Sequence, residues 1–139
     1  MKKRILIVDD CEMDLEVLDE LLRDGYDLAV ATSGQRCLEK LDQFRPGLVL
    51  MSTELSGIDG YETCRQIKNG PPGSVTQVML VGPDASRPAR ARGYAAGADD
   101  FLRKPLCADE LLGRVRVQFE LRRARLRVEA ASQERAEHN

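Results

Sequence analysis

Two acidic residues in a row, Asp9 and Asp10, end the apolar run Ile5-Leu6-Ile7-Val8, and a hydroxyl, Ser52, ends a second run, Leu48-Val49-Leu50-Met51. A carboxylate pair can hold a cation or take a proton, and a serine can attack an electrophile. Serine attack needs a general base alongside. Asp9 or Asp10 could serve only if crowding raised its pKa, so a plain structural serine is the stronger reading. The four cysteines, Cys11, Cys37, Cys64 and Cys107, include no C-x-x-C pair, and the one histidine is His138. A zinc site needs closer ligand pairs. Reduced thiols used as small, semi-buried residues fit better. Beside Asp9 and Asp10, the Cys11 thiol would be held protonated rather than activated.

Apolar runs at Ile5–Val8, Leu28–Ala31, Leu48–Met51, Val78–Val81 and Phe101–Leu102 read as strands. Amphipathic stretches alternate with them. In the first, Met13, Val17, Leu18, Leu21 and Leu22 recur at helical spacing. The others run about 35–44, 61–68, 87–96 and from Ala108 onward. Five such units in series imply a parallel sheet with helices on both faces. Gly70-Pro71-Pro72-Gly73-Ser74 reads as a loop before the fourth strand. The last helix has no proline or glycine after Gly113, and Leu121, Ala124, Val128 and Ala131 form a weak coiled-coil seam. The alternative is a solvated helix that frays over Ser132–Asn139. Its arginines (Arg114, Arg116, Arg122, Arg123, Arg125 and Arg127) read as a solvated charged face rather than a nucleic-acid footprint.

At 139 residues the chain suits one domain with a short extension. Such a length buries roughly two thirds of its unfolded surface. A net charge of −2 gives no overall signature of nucleic-acid binding. No apolar run reaches the ~18 residues of a membrane span, and the four apolar residues after Met-Lys-Lys-Arg are too short for a signal core. A cytoplasmic protein is expected.

The stretch from Leu48 through Ser52-Thr53-Glu54-Leu55-Ser56-Gly57-Ile58-Asp59-Gly60 resembles the phosphoacceptor strand and loop of response-regulator receiver domains. The opening strand with Asp9-Asp10 fits the same family. So does Gly97-Ala98-Asp99-Asp100-Phe101-Leu102-Arg103-Lys104-Pro105, which matches its glycine-alanine-aspartate-aromatic and lysine-proline signature. The resemblance covers about Arg4 to Leu121. It implies a CheY-like, doubly wound five-stranded parallel sheet of order 2-1-3-4-5, with the site at the carboxyl ends of strands one and three. A receiver domain over 1–121 and a helical extension over 122–139 follow.

The resemblance also implies roles. Asp9 and Asp10, with the Glu54 backbone carbonyl, would hold magnesium. Lys104 would pair with a phosphoryl group, and Phe101 takes the switch-aromatic position. Two parts are missing. Ser52 stands where the acceptor aspartate belongs, and Gly82 stands where a switch hydroxyl should end the fourth strand. Thr53 lines the same pocket, while Thr76 and Ser86, the other nearby hydroxyls, do not end the strand. Losing acceptor and reader together points to a natural pseudo-receiver rather than an engineered knock-out. Without a third carboxylate, magnesium binding should weaken, and Lys104 should pair with Asp9 or Asp10. The expected function is signalling by protein contact, without catalysis. A histidine kinase, an output domain or a second copy, through the fourth and fifth helices, would be the partner. The alanine-rich fourth helix (Ala89, Ala91, Ala95, Ala96) suits such close packing. Two alternatives remain: phosphorylation on Ser52, Thr53 or another residue, and a small ligand in a pocket that Ser52 and Gly82 leave roomier.

Overall fold

Residues that alternate between two apolar layers build the sheet. In the computed structural model, which describes residues 1–71 and 75–138, the strands are β1 (Lys3–Val8), β2 (Tyr26–Ala31), β3 (Leu48–Ser52), β4 (Gln77–Gly82) and β5 (Asp100–Arg103). All pair in parallel, in the order β2-β1-β3-β4-β5. Between them run α1 (Glu12–Leu22), α2 (Gly34–Phe44), α3 (Gly60–Asn69) and α4 (Arg87–Ala95), and α5 (Ala108–His138) closes the chain. The expected fold class and strand order hold. Of the proline-glycine loop before β4, residues 72–74 lie outside the described residues.

Successive strand side chains point to opposite faces. Ile5, Ile7, Leu48, Leu50, Met79, Val81 and Leu102 meet Leu18 and Leu22 of α1 and Leu111, Val115 and Phe119 of α5. Leu6, Val8, Val49, Met51, Val78, Leu80 and Phe101 meet Cys37 of α2, Cys64 and Ile67 of α3 and Ala89 of α4. A strand covered on both faces reads as a continuous apolar run, as β3 and β4 do. Three helices begin on side-chain caps. Ser33 accepts from the Arg36 amide, Asp59 from Glu62 and Ser86 from Ala89.

Two expectations about helices change. Met13 and Val17 are exposed, because α1 turns Leu15, Leu18 and Leu22 to the sheet instead. The arginines of α5 are not uniformly solvated. Arg114 pairs with Asp100 at 2.8 Å, Arg122 donates to the Val75 carbonyl at 2.6 Å, and Arg125 binds Gln77 at 2.8 Å and Asp99 at 2.9 Å. The helix runs to His138, as an Ala/Glu/Arg-rich stretch without helix breakers allows, and Asn139 lies outside the described residues. Leu121, Leu126 and Val128 stay exposed on it.

Candidate functional site

Four strand ends converge at one edge of the sheet. Asp9 follows β1, Ser52 ends β3, Gly82 ends β4 and Lys104 follows β5. Backbone bonds lock them side by side: Asp9 donates to Ala31 at 3.1 Å, Thr53 to Val81 at 2.9 Å and Lys104 to Gly82 at 2.8 Å. The Lys104–Pro105 peptide is cis. α3 starts hard against this edge, and a Cβ on Gly60 would fall onto the Ser52 carbonyl, so only glycine permits the approach.

Ser52 is buried, and its hydroxyl is used locally. Its Oγ donates to the Glu54 carbonyl and accepts from the Glu54 amide, each at 3.2 Å. The serine therefore holds the loop in place and spends both of its hydrogen-bonding roles there. The same bond engages the carbonyl expected to bind magnesium.

The acidic pair divides. Asp9 is buried; its Oδ1 accepts from the Cys11 amide at 3.0 Å and its Oδ2 from Lys104 Nζ at 3.0 Å. Asp10 is exposed and does not bond Lys104. The second partner of Lys104 is instead Asp14, in the first turn of α1, at 2.7 Å. The bond to Asp9 is one of the two pairings expected, and Asp14 adds a second carboxylate while Asp10 stays exposed. Burial of the ammonium works against its charge, but the hydrogen bonds it donates to Asp14 and Asp9 outweigh it and hold Lys104 above the usual lysine range. Lys104 makes no hydrogen bond to Ser52 among the described residues.

Gly82 does not leave a void. A Cβ built there would fall onto the Thr53 hydroxyl, with Thr53 Cγ2 at 3.2 Å. Thr53 therefore fills the space a switch side chain would take, and the pocket is not roomier at this point. The neighbouring cleft, about 570 Å³, is lined by Asp10, Thr53, Glu54, Asp59, Asp84 and Arg92 among others, but by neither Ser52 nor Gly82. Phe101 is fully buried, with its ring 6.5 Å from that of Tyr61 and the Arg90 guanidinium 5.7 Å from its centroid.

Magnesium needs several free oxygen ligands. Here one carboxylate is bound to lysine, one carbonyl takes the Ser52 hydroxyl and one carboxylate is exposed. No cluster of three potential ligands occurs among the described residues. As it stands the donor set offers the ion few free ligands, which weakens the site.

A model of the response regulator receiver domain family matches residues 5–116. The chain belongs to that family. Receiver domains interact with histidine kinases and output domains and typically bind magnesium at the phosphorylation site. This receiver is 37% identical over 120 residues to the DNA-binding response regulator MtrA of Mycobacterium tuberculosis, covering 86% of this chain and 51% of that protein. It is 33% identical over 117 residues to the response regulator PleD of Caulobacter vibrioides, covering 84% of this chain and 26% of that protein. The chain thus spans about a quarter to half the length of these relatives. Among solved structures it is similar to a CheY-like receiver of Methanospirillum hungatei (TM-score 0.82, 26% identity, 89% of this chain and 98% of that one). The beryllofluoride-activated receiver domain of DrrB from Thermotoga maritima is also similar (TM-score 0.78, 31% identity, 86% and 99%). No helix among the described residues is long and apolar enough to cross a membrane.

Of the residues singled out in the sequence, Asp9, Ser52, Thr53, Gly82 and Lys104 are brought together. Asp14 was missed. Its only signal was an acidic residue one helical turn past Asp10.

Proposed function

We propose that this receiver signals by protein contact and does not depend on aspartyl phosphorylation. The observation that carries the reading is the double commitment of the site: the Ser52 hydroxyl is spent on Glu54, and Lys104 is spent on Asp9 and Asp14. A half-buried cation held by two carboxylates needs no phosphoryl group or metal to be satisfied. Serine is a poor substitute acceptor here, because among the described residues its oxygen bonds only the Glu54 backbone and no general base. In this reading the domain performs no catalysis, magnesium binds weakly, and the partner is a histidine kinase, an output domain or a second copy meeting α4 and α5. Residues 1–121 act as the receiver and 122–139 as its helical extension, in the cytoplasm.

The test is incubation with magnesium and acetyl phosphate or beryllofluoride, read by intact mass and by the amide resonances of Ser52, Gly82 and Lys104. The expected result is no added phosphoryl mass and no saturable shift. A gain of one phosphoryl group, mapped to Ser52 or Thr53, sinks the proposal.

A further inference from the structure

The opposite edge of the sheet carries a second cavity of about 540 Å³, within the range of small-molecule sites. Lys3 and Arg4 of β1, Arg45 before β3, and Arg116, Arg122 and Arg123 of α5 all line it, against one acid, Glu120. None of these six cations makes an ion pair among the described residues. Arg4 Nε is anchored on the Arg45 carbonyl at 3.1 Å and Arg122 Nε on the Val75 carbonyl at 2.6 Å. Their terminal nitrogens make no hydrogen bond to the protein among the described residues, so each presents a fixed, unused fork of donors. Burial and the neighbouring Arg4 guanidinium push Arg122 below the usual arginine range. Collecting like charge in one hollow of a chain whose net charge is −2 is unfavourable unless an anion neutralises it. The lining is not merely charged. Half-buried Tyr26 stacks at 5.5 Å on buried Phe119, over which Lys3 Nζ sits at 5.8 Å, and Leu126 lies in the same lining.

From these observations we infer that this cavity binds a nucleoside polyphosphate, with the phosphates on the arginines and the base against the Tyr26 ring. Bidentate guanidinium–phosphate contacts supply orientation, and the Tyr26 ring with Leu126 distinguishes a nucleotide from a bare phosphate chain. A nucleic-acid strand is the competing polyanion, but a hollow of this size, walled on one side by α5, suits one nucleotide rather than an extended backbone.

The full chain would be titrated calorimetrically with ATP and GTP, with tripolyphosphate, adenosine and single-stranded oligonucleotides as further probes. We expect saturable binding of a nucleotide that is tighter than that of tripolyphosphate. It should weaken about ten-fold in Arg4→Gln and in the exposed variant Arg116→Gln, and weaken further with added salt. Tyr26→Leu should weaken nucleotide and leave tripolyphosphate unchanged. Circular dichroism melts confirm that each variant is folded. Several results would overturn the proposal: no saturable heat with either nucleotide, equal affinity in Arg116→Gln, equal affinity for tripolyphosphate, or oligonucleotide affinity that grows with length past that of any mononucleotide.

Discussion

The Gly82 position and the Thr53 side chain are two halves of one packing solution. Putting a side chain at Gly82 forces it onto the Thr53 hydroxyl, so Gly82→Thr should destabilise the fold by about 1–3 kcal/mol. Thr53→Ala removes the obstacle, so the same substitution in that background should cost much less. A double-mutant cycle by urea unfolding measures the coupling, and strictly additive effects would show that Thr53 does not occupy the space. Ser52→Asp tests the other missing part. It adds a carboxylate beside Asp9 and competes for Lys104, so magnesium affinity should rise at least about ten-fold over wild type, checked by calorimetry. An unchanged affinity would mean that Asp9 and Asp14 hold Lys104 too firmly for the site to reopen. The identity of Ser52 and Gly82 was legible in the sequence, because each ends an apolar run of fixed length. Their consequences were not. Whether a hydroxyl is free or spent depends on a loop geometry, and the filling of the Gly82 space depends on a side chain from the loop after the adjacent strand.

At the scale of elements, the inner strands β1, β3 and β4 were legible because buried parallel strands are continuous apolar runs, bounded here by Asp9, Ser52 and Gly82. The faces of the helices were harder. Met13 and Val17 fit a helical period as well as Leu18 and Leu22 do, and only the placement of α1 decides which set is buried. The extension was misread for a related reason: arginine counts alone cannot show that Arg122 and Arg125 reach back to Val75, Gln77 and Asp99. That contact sets a boundary that can be measured. Ending the chain after Arg127 should leave the melting temperature within about 1 °C, since the exposed turns beyond it contribute little. Ending it after Leu121 removes both anchors, and the melting temperature should drop by about 4 °C or more. Equal melting temperatures for the two truncations would mean that the anchors are surface contacts of no consequence.

Across the whole molecule, charge and thiols both respond to alkali in the same direction. Cys37 and Cys64 are free and buried in one layer, while Cys11 and Cys107 are free and exposed. Burial pushes the Cys37 thiol up to about 12, with Cys64 adding to the rise. Burial also pushes Cys64 to about 12, against the pull of Lys68 and with the push of Asp99. An ordinary thiol here would titrate near 9.0. Between these values the unfolded chain has released protons that the folded chain still holds. The folded state then binds more protons, and stability falls as pH rises through the window from about 9 to about 12. Below it the thiols contribute no slope. Lys104 acts with the same sign, because its raised value leaves its contribution complete below the ordinary lysine pKa and lost above it. Urea midpoints measured from roughly pH 8 to pH 11 should therefore decline, and Cys37→Ala should flatten that decline even though it lowers the midpoint at pH 8. A thiol reagent at pH 8 should modify Cys11 and Cys107 at once and reach Cys37 and Cys64 only through opening of the fold. If Cys37→Ala and wild type lose stability with the same slope, the buried thiols are not the source, and Lys104 with its two carboxylates is the group to replace next.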